Sequence, residues 1–302
     1  MKNIVILGSI NMDLVTIVDR KPLDGETIIG KEFFQVGGGK GANQGISIGK
    51  LGGKGQFLGL VGNDAYGEEL LDNMKKAGLD ISRVGKKETS TGLASITLDS
   101  KGENSIIVIQ GANALVDKDY INENQDIIKN ADILLCQLEI PLESVEYAFK
   151  IAKENKVKTI LNPAPAMKSI DSLLSLTNIL VLNESEFNIL CGQDIENISQ
   201  LKIREEAEYF FKLGIEELII TLGSKGVLHL NKNIMNKYEA YKVEAIDTTG
   251  AGDSFIGAFS TFLYEGIEKA IHMGMKAGAI AVTRLGAQSS LANLEEVENF
   301  GK

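Results

Sequence analysis

Between residues 117 and 222, four short apolar runs alternate with four helical stretches, and this alternation most restricts the fold. The runs lie near 132–136, 157–161, 178–182 and 217–222, and the helical stretches near 117–129, 142–155, 184–191 and 199–213. Runs that are apolar throughout read as strands covered on both faces, and helical connections make such strands parallel. Asn3 to Leu7, ending at Gly8, reads as the first buried strand of the same sheet. Helices are expected over 41–51 and over 66–77, the second stopping at Gly78, with a strand over 57–61 between them. Residues 227–230 and 238–243 are expected to be terminal strands, and helices near 252–264 and 268–284 close the chain.

Two segments break this pattern. A β-rich run at 13–19 leads towards Val36, and runs at 91–99 and 105–109 flank Ser100-Lys101-Gly102-Glu103, a hairpin signal. Strands inserted at about 13–36 and 91–110 therefore predict a small β layer within a single α/β domain spanning 1–302. Ligands of open α/β sheets bind beyond the carboxyl ends of the strands, where such a layer can act as a lid.

Composition removes several function classes. The formal charge of −10 lacks the basic face that nucleic-acid phosphates require. No stretch reaches the ~18 apolar residues of a membrane span, and no signal peptide is recognisable. Cys136 and Cys191 lie in apolar surroundings without metal spacing, which suits a reducing cytoplasm. His229 and His272 are isolated, against a histidine metal site or a Ser-His-Asp triad. GETIIGKE at 25–32 has P-loop spacing, but Glu32 replaces the required Ser or Thr. The glycines of 37–44 lack Rossmann spacing, and no acid follows ~20 residues later at a strand end.

The chemistry concentrates in DTTGAGD, residues 247–253. Gly250-Ala251-Gly252 opens an apolar helix, and Asp253 lies in its first turn. Free N–H groups and the helix dipole there favour an anion, and glycines let it approach the backbone. A carboxylate beside an anion site can take a proton from a hydroxyl that attacks a phosphate. GGGKGANQ, 37–44, is a second glycine-rich helix entry, with Lys40 and Asn43 as donors. GSINMD (8–13) and QLEIP (137–141) put Asn11, Asp13 and Glu139 at strand carboxyl ends. NESE (183–186) starts a helix with acids that either favour its dipole or help hold Mg²⁺, and TLGSKG (221–226) either wraps a nucleotide or is a plain hairpin turn.

With STGLA, GENSIIVIQGAN, LNPAPA and AVTRLGAQ, these motifs resemble, in order and from about residue 3 to 296, the ribokinase-like carbohydrate kinase family. The resemblance implies a ribokinase-like three-layer α/β sandwich with a mostly parallel central sheet and a small β-sheet lid. It implies transfer of the ATP γ-phosphoryl group to the 5-hydroxyl of D-ribose, with 2-deoxyribose or fructose kinases and a non-catalytic sugar- or nucleotide-sensing relative as alternatives. Asp253 matches the catalytic base, and Gly250, Ala251 and Gly252 the anion hole. Asn11, Asp13, Gly39, Lys40, Asn43 and Glu139 match sugar-binding positions. Asn183, Glu186, Thr221 and Gly223 match positions that bind ATP or organise Mg²⁺. Asp247, Thr249, Ala281, Arg284, Gly286 and Ser290 match a monovalent-cation site, usually K⁺. Met275 departs from the Asn or His often found near the adenine. A homodimer through the lid is also implied.

Overall fold

The computed structural model describes residues 2–192 and 200–301. Its first half carries strands β1 (Asn3–Leu7), β2 (Asn11–Ile17), β3 (Glu32–Gly38), β4 (Lys54–Leu58), β5 (Leu60–Gly62), β6 (Gly85–Lys87), β7 (Gly92–Leu98) and β8 (Asn104–Ile109). The second half adds β9 (Ile133–Cys136), β10 (Lys158–Leu161), β11 (Ile179–Asn183), β12 (Glu217–Thr221), β13 (Val227–Leu230) and β14 (Met235–Tyr238). Helices α1 (Lys40–Lys50), α2 (Ala65–Lys76), α3 (Lys118–Glu123), α4 (Gln125–Lys129), α5 (Leu142–Glu154) and α6 (Asp171–Leu174) come first among the helices. There follow α7 (Glu184–Cys191), α8 (Gln200–Leu213), α9 (Ala251–Phe262), α10 (Ile267–Ala281), α11 (Ala287–Ser290) and α12 (Leu294–Asn299).

The large sheet has the order β14-β13-β12-β11-β10-β9-β1-β4. It is parallel from β4 to β12 and ends in two antiparallel strands. Side-chain alternation along β1 explains the layers. Val5 and Leu7 enter one core with Phe149 of α5 and Phe210 of α8. Ile4 and Ile6 enter the other with Ile46 of α1, Phe259 of α9 and Ile271 of α10. Both faces are thus covered by helices, as strands apolar throughout require.

A separate sheet, β3-β2-β7-β8, sits at the carboxyl edge. Both expected insertions contribute to it, and β7 and β8 form the expected antiparallel pair. Among the described residues no helix is long and apolar enough to cross a membrane.

Several boundaries differ from the sequence reading. The 57–61 run is two strands: β4 ends at Leu58, and β5 pairs with β6 in a third small sheet. Gly59 marks the break, where an added Cβ would lie 2.8 Å from the Gly8 carbonyl oxygen. The 238–243 strand is absent. β14 occupies Met235–Tyr238 because it pairs back along β13, and that partner runs out at Val227 opposite Tyr238. Residues 239–243 keep strand-like alternation but pair with no strand among the described residues. The 117–129 helix breaks at Asn124 into α3 and α4. The first residue of the helix expected over 199–213, and the ends of the expected 1–302 domain, lie outside the described residues.

Candidate active site

The site forms where the N-termini of α1 and α9 meet. These helices pack closely because small residues face each other. A Cβ at Gly257 would lie 2.4 Å from Ser47 Cβ, and Ser47 Oγ donates to the Ser254 carbonyl at 3.2 Å. At the top of this contact Asp253 is buried. Asn43 Nδ2 donates to its Oδ2 at 3.0 Å, and Gln44 Nε2 donates to its Oδ1 at 2.9 Å. Two amides of one helix therefore hold both carboxylate oxygens at the start of another.

Gly250 caps α9 with φ 75°, in the left-handed region where a side chain is strained. A Cβ there would also lie 3.0 Å from Ala287 Cα, so the turn is seated against α11. Ser254 N donates to the Gly250 carbonyl at 2.8 Å, and Ala251 N to Thr248 at 3.3 Å. The first turn directs the positive end of the helix dipole at the cleft.

Charges cluster around this point. Lys40 begins α1, and its backbone N–H donates to Glu139 Oε2 at 2.9 Å. Glu139 Oε2 also accepts from Ser9 Oγ at 2.5 Å. Burial pushes Asp253 above the usual carboxylate range, and Lys40 with the Asn43 and Gln44 hydrogen bonds opposes that rise. Burial, with Glu139 and Asp253 nearby, raises Asp13 to about 7. Burial alone would lower Lys40, but Asp253, Glu139, Glu186 and Asp13 together raise it. Lys40 is thus the ammonium that these four acids attract in common.

An open cleft of about 1510 Å³ runs from this cluster along the strand ends. Lys40, Asn162, Asn183, Glu186, Thr221, Gly223, Gly250, Ala251, Gly252, Asp253 and Met275 all line it. Asn183 and Glu186 form a reciprocal capping box at α7, so the helix-start reading of NESE holds as local structure. Glu186 nonetheless faces the cleft, and burial raises its carboxyl. Asn11 on β2 and Gly39 at the α1 cap lie against each other, a Cβ at Gly39 standing 2.8 Å from Asn11 N. Asn11 Oδ1 accepts from Asn113 Nδ2 at 2.7 Å, which leaves the Asn11 amide nitrogen to donate.

The expected cation residues gather behind the α9 turn. Asp247 Oδ1 accepts from Thr249 N at 2.9 Å, and its Oδ2 accepts from Gly286 N at 2.8 Å. These bonds hold its carboxyl below the usual range despite partial burial. Asp247 therefore ties the 247–249 turn to the loop carrying Arg284 and Gly286. Ser290 Oγ donates to the Ala287 carbonyl at 2.7 Å, and the Ala281 carbonyl accepts from Arg284 N at 3.1 Å.

Four polar residues at the site carry no role in the sequence reading: Ser9, Gln44, Gln137 and Asn162. Each lies inside a quoted motif, but a Gln on a helix or strand end normally reads as solvated. Only their bonds in the folded chain, to Glu139, Asp253, Gln44 and the Val181 carbonyl, show that these face inward.

A parallel sheet whose carboxyl edge presents a buried carboxylate at a helix N-terminus, beside a long cleft, is the framework of a phosphotransferase acting on a small acceptor. The sequence profile of the pfkB family carbohydrate kinases matches residues 1–294. The chain belongs to that family. It is 42% identical over 299 residues to the ribokinase of Staphylococcus aureus, covering 97% of this chain and 98% of that one. The crystal structure of ribokinase from Thermotoga maritima superposes with a TM-score of 0.91 at 39% identity, covering 99% of each chain. The ribokinase of Arabidopsis thaliana, solved with ribose and ATP, superposes with a TM-score of 0.91 at 31% identity, over 98% of this chain and 97% of that one.

Proposed function

We propose that this enzyme transfers the γ-phosphoryl group of ATP to the 5-hydroxyl of D-ribose, giving ribose 5-phosphate. The observation that carries the reading is Asp253, with both oxygens held by α1 amides at the point where the cleft meets the Lys40–Asp13–Glu139 cluster. ATP lies along the cleft, and ribose lies under the small sheet between Asn11, Asp13, Gly39, Asn43 and Glu139. Asp253 takes the proton of the 5-hydroxyl. A carboxylate suffices because the transition state is loose and the proton leaves late. The α9 N-terminus, through Gly250 to Gly252, stabilises charge on the transferring group, and Lys40 adds a half-buried positive charge. Asn11 donates, and Asp13 when ionised accepts. A pair built for the 2-hydroxyl rejects 2-deoxyribose because its own groups would be left unpaired.

Mg²⁺, when bound with ATP, would neutralise phosphate charge. Among the described residues no group of three His, Cys, Asp or Glu forms a metal cage. An oxygen site of Glu186 and Asn183, completed by phosphates and water, suits Mg²⁺. A monovalent cation, K⁺ by preference, fits the oxygen donors of Asp247 and the carbonyls of Thr249, Ala281, Arg284 and Gly286, with Ser290 beside them. The bonds that already tie Asp247 to Thr249 and Gly286 place this loop directly behind the α9 turn. When bound, K⁺ would stiffen that turn. Met275 packs against the base without a hydrogen bond, so the adenine edge is read elsewhere. The chain works in the cytoplasm, consistent with its free cysteines.

A coupled ADP-release assay across ribose, 2-deoxyribose, fructose and adenosine, in K⁺ and in Na⁺ buffers, tests both substrate and ion. Ribose in K⁺ should give the highest kcat/KM. Preference for another sugar would overturn the substrate, and equal rates in the two salts would overturn the ion.

The small sheet supports a symmetric homodimer. β3 and β8 are its edges, and β8 exposes Ile106 through Ile109, with Ile107 68% exposed. Unpaired edges and apolar patches of this kind favour association. Sedimentation at micromolar concentration should give twice the mass of the 32.6 kDa chain. A monomer there would remove the dimer from the account.

A further inference from the structure

We infer that Gln44 and Gln137 are positioning residues that hold the Asp253 carboxylate in its working orientation through one buried amide relay. The inference rests on Asp253 acting as the base. Gln44 and Gln137 are both buried. Gln137 Nε2 donates to Gln44 Oε1 at 2.6 Å. That bond turns the Gln44 amide so that its nitrogen faces Asp253 Oδ1 at 2.9 Å and Asn162 Oδ1 at 3.2 Å. Asn162 Nδ2 in turn donates to the Val181 carbonyl at 3.1 Å and approaches Glu186 Oε2 at 3.5 Å. The chain runs from the β9 end, through α1, to the base, and by a branch to the acid at α7.

Direction is what makes the relay informative. A Gln amide can point either way, and a reversed Gln44 would set its oxygen against the carboxylate. Gln137 prevents this, since reversal would set the Gln44 amide nitrogen against the Gln137 amide nitrogen, donor against donor. Gln137 Oε1 is itself buried without a partner and lies where a Cβ at Gly8 would stand 2.2 Å away. A buried acceptor left unsatisfied is costly, and here it accompanies a donor committed to Gln44. A purely structural filler would be apolar.

The electrostatic setting gives the sign. Asp253 is faced by Lys40 of α1, Asp13 of β2, Glu139 after β9 and Glu186 of α7. Three of these are acids, so the Gln44 donor supplies anion stabilisation that its acidic neighbours do not. Without it, Asp253 binds its proton more tightly, so that as the pH falls activity is lost from a higher pH downwards.

Gln44→Met and Gln137→Met test this in the full-length protein, using whichever sugar the wild type phosphorylates best. For Gln44→Met, kcat should fall about tenfold to a hundredfold, the range for a hydrogen bond to a charged group. KM for sugar should stay within about twofold, because Gln44 acts on the base rather than the sugar. The acid limb of kcat/KM should move up by about one pH unit. Gln137→Met should shift the limb in the same direction by less. The ¹³C carboxyl titration of Asp253, identified by its loss in Asp253→Asn, reads the same shift without substrate. If Gln44→Met does not fold, Gln137→Met decides. A wild-type acid limb in the folded variants, or a raised KM with unchanged kcat, overturns the inference. A wild type that phosphorylates no sugar instead overturns the proposed function on which it rests.

Discussion

Replacing Asp253 by alanine is expected to lower kcat by about 10²- to 10⁴-fold, the usual contribution of a positioned base. The fall should appear in kcat and in kcat/KM together, because the proton is transferred only in the transition state. Substrate affinity should change less, since ATP and sugar also contact the cleft and the Lys40 cluster. The variant should remain folded. It removes a buried carboxylate whose ionisation burial already disfavours, although it strands the Asn43 and Gln44 amides that now bond to it. Asp253→Asn keeps the shape and separates this packing cost from the chemistry. Residual turnover would come from the α9 N-terminus and from Lys40, which do not depend on the carboxylate. Steady-state kinetics check it, and turnover within tenfold of wild type would remove Asp253 from the role of base.

Gly41→Ala should be nearly as damaging without touching a reacting atom. A Cβ at Gly41 would lie 2.7 Å from Gly8 C and from Ser9 N, and 2.8 Å from Gly8 Cα. All three are backbone atoms of the turn between β1 and β2, so no side chain can swing aside. The close approach is fixed from both sides, because Ala42 N donates to the Ser9 carbonyl at 2.9 Å. The methyl must push the first turn of α1 away from β1, and Lys40, Asn43 and Gln44 all ride on that turn. A displacement approaching 1 Å costs about 10²-fold in rate. Overpacking of this kind also destabilises by about 1–3 kcal/mol. Kinetics and thermal denaturation together check it. A variant with wild-type kcat and melting temperature would mean that the α1 entry is not constrained as described.

Much of the architecture was legible because parallel strands buried on both faces leave uninterrupted apolar runs. The strands β9 to β12 fall within a residue or two of their expected positions for that reason. The small sheet was legible from the Lys101-Gly102 turn and from runs that lacked intervening helices. Where pairing rather than local pattern decides, the reading failed. Residues 239–243 alternate as a strand does, yet β13 offers them no partner. Residues 57–61 look continuous, yet Gly59 passes the chain from one sheet to another.

The site divides the same way. DTTGAGD and GGGKGANQ announce themselves because glycine, lysine and aspartate at helix entries have few structural uses in that combination. Their meeting across 210 residues, through Asn43 and Asp253, appears only in three dimensions. Gln44, Gln137 and Asn162 were hidden in plain letters, since an amide on a helix or strand end usually faces water. Asp247 is read as a cation residue from its motif, while its bonds reveal a clamp between two loops.

The most direct test of the central claim is to identify the product by ³¹P NMR after incubating the protein with Mg-ATP and ribose. The account predicts ADP and ribose 5-phosphate in equal amounts, with both forming at least about 10²-fold more slowly in Asp253→Ala. ADP formed without a sugar phosphate, or a phosphate on any hydroxyl other than the 5-hydroxyl, would contradict it.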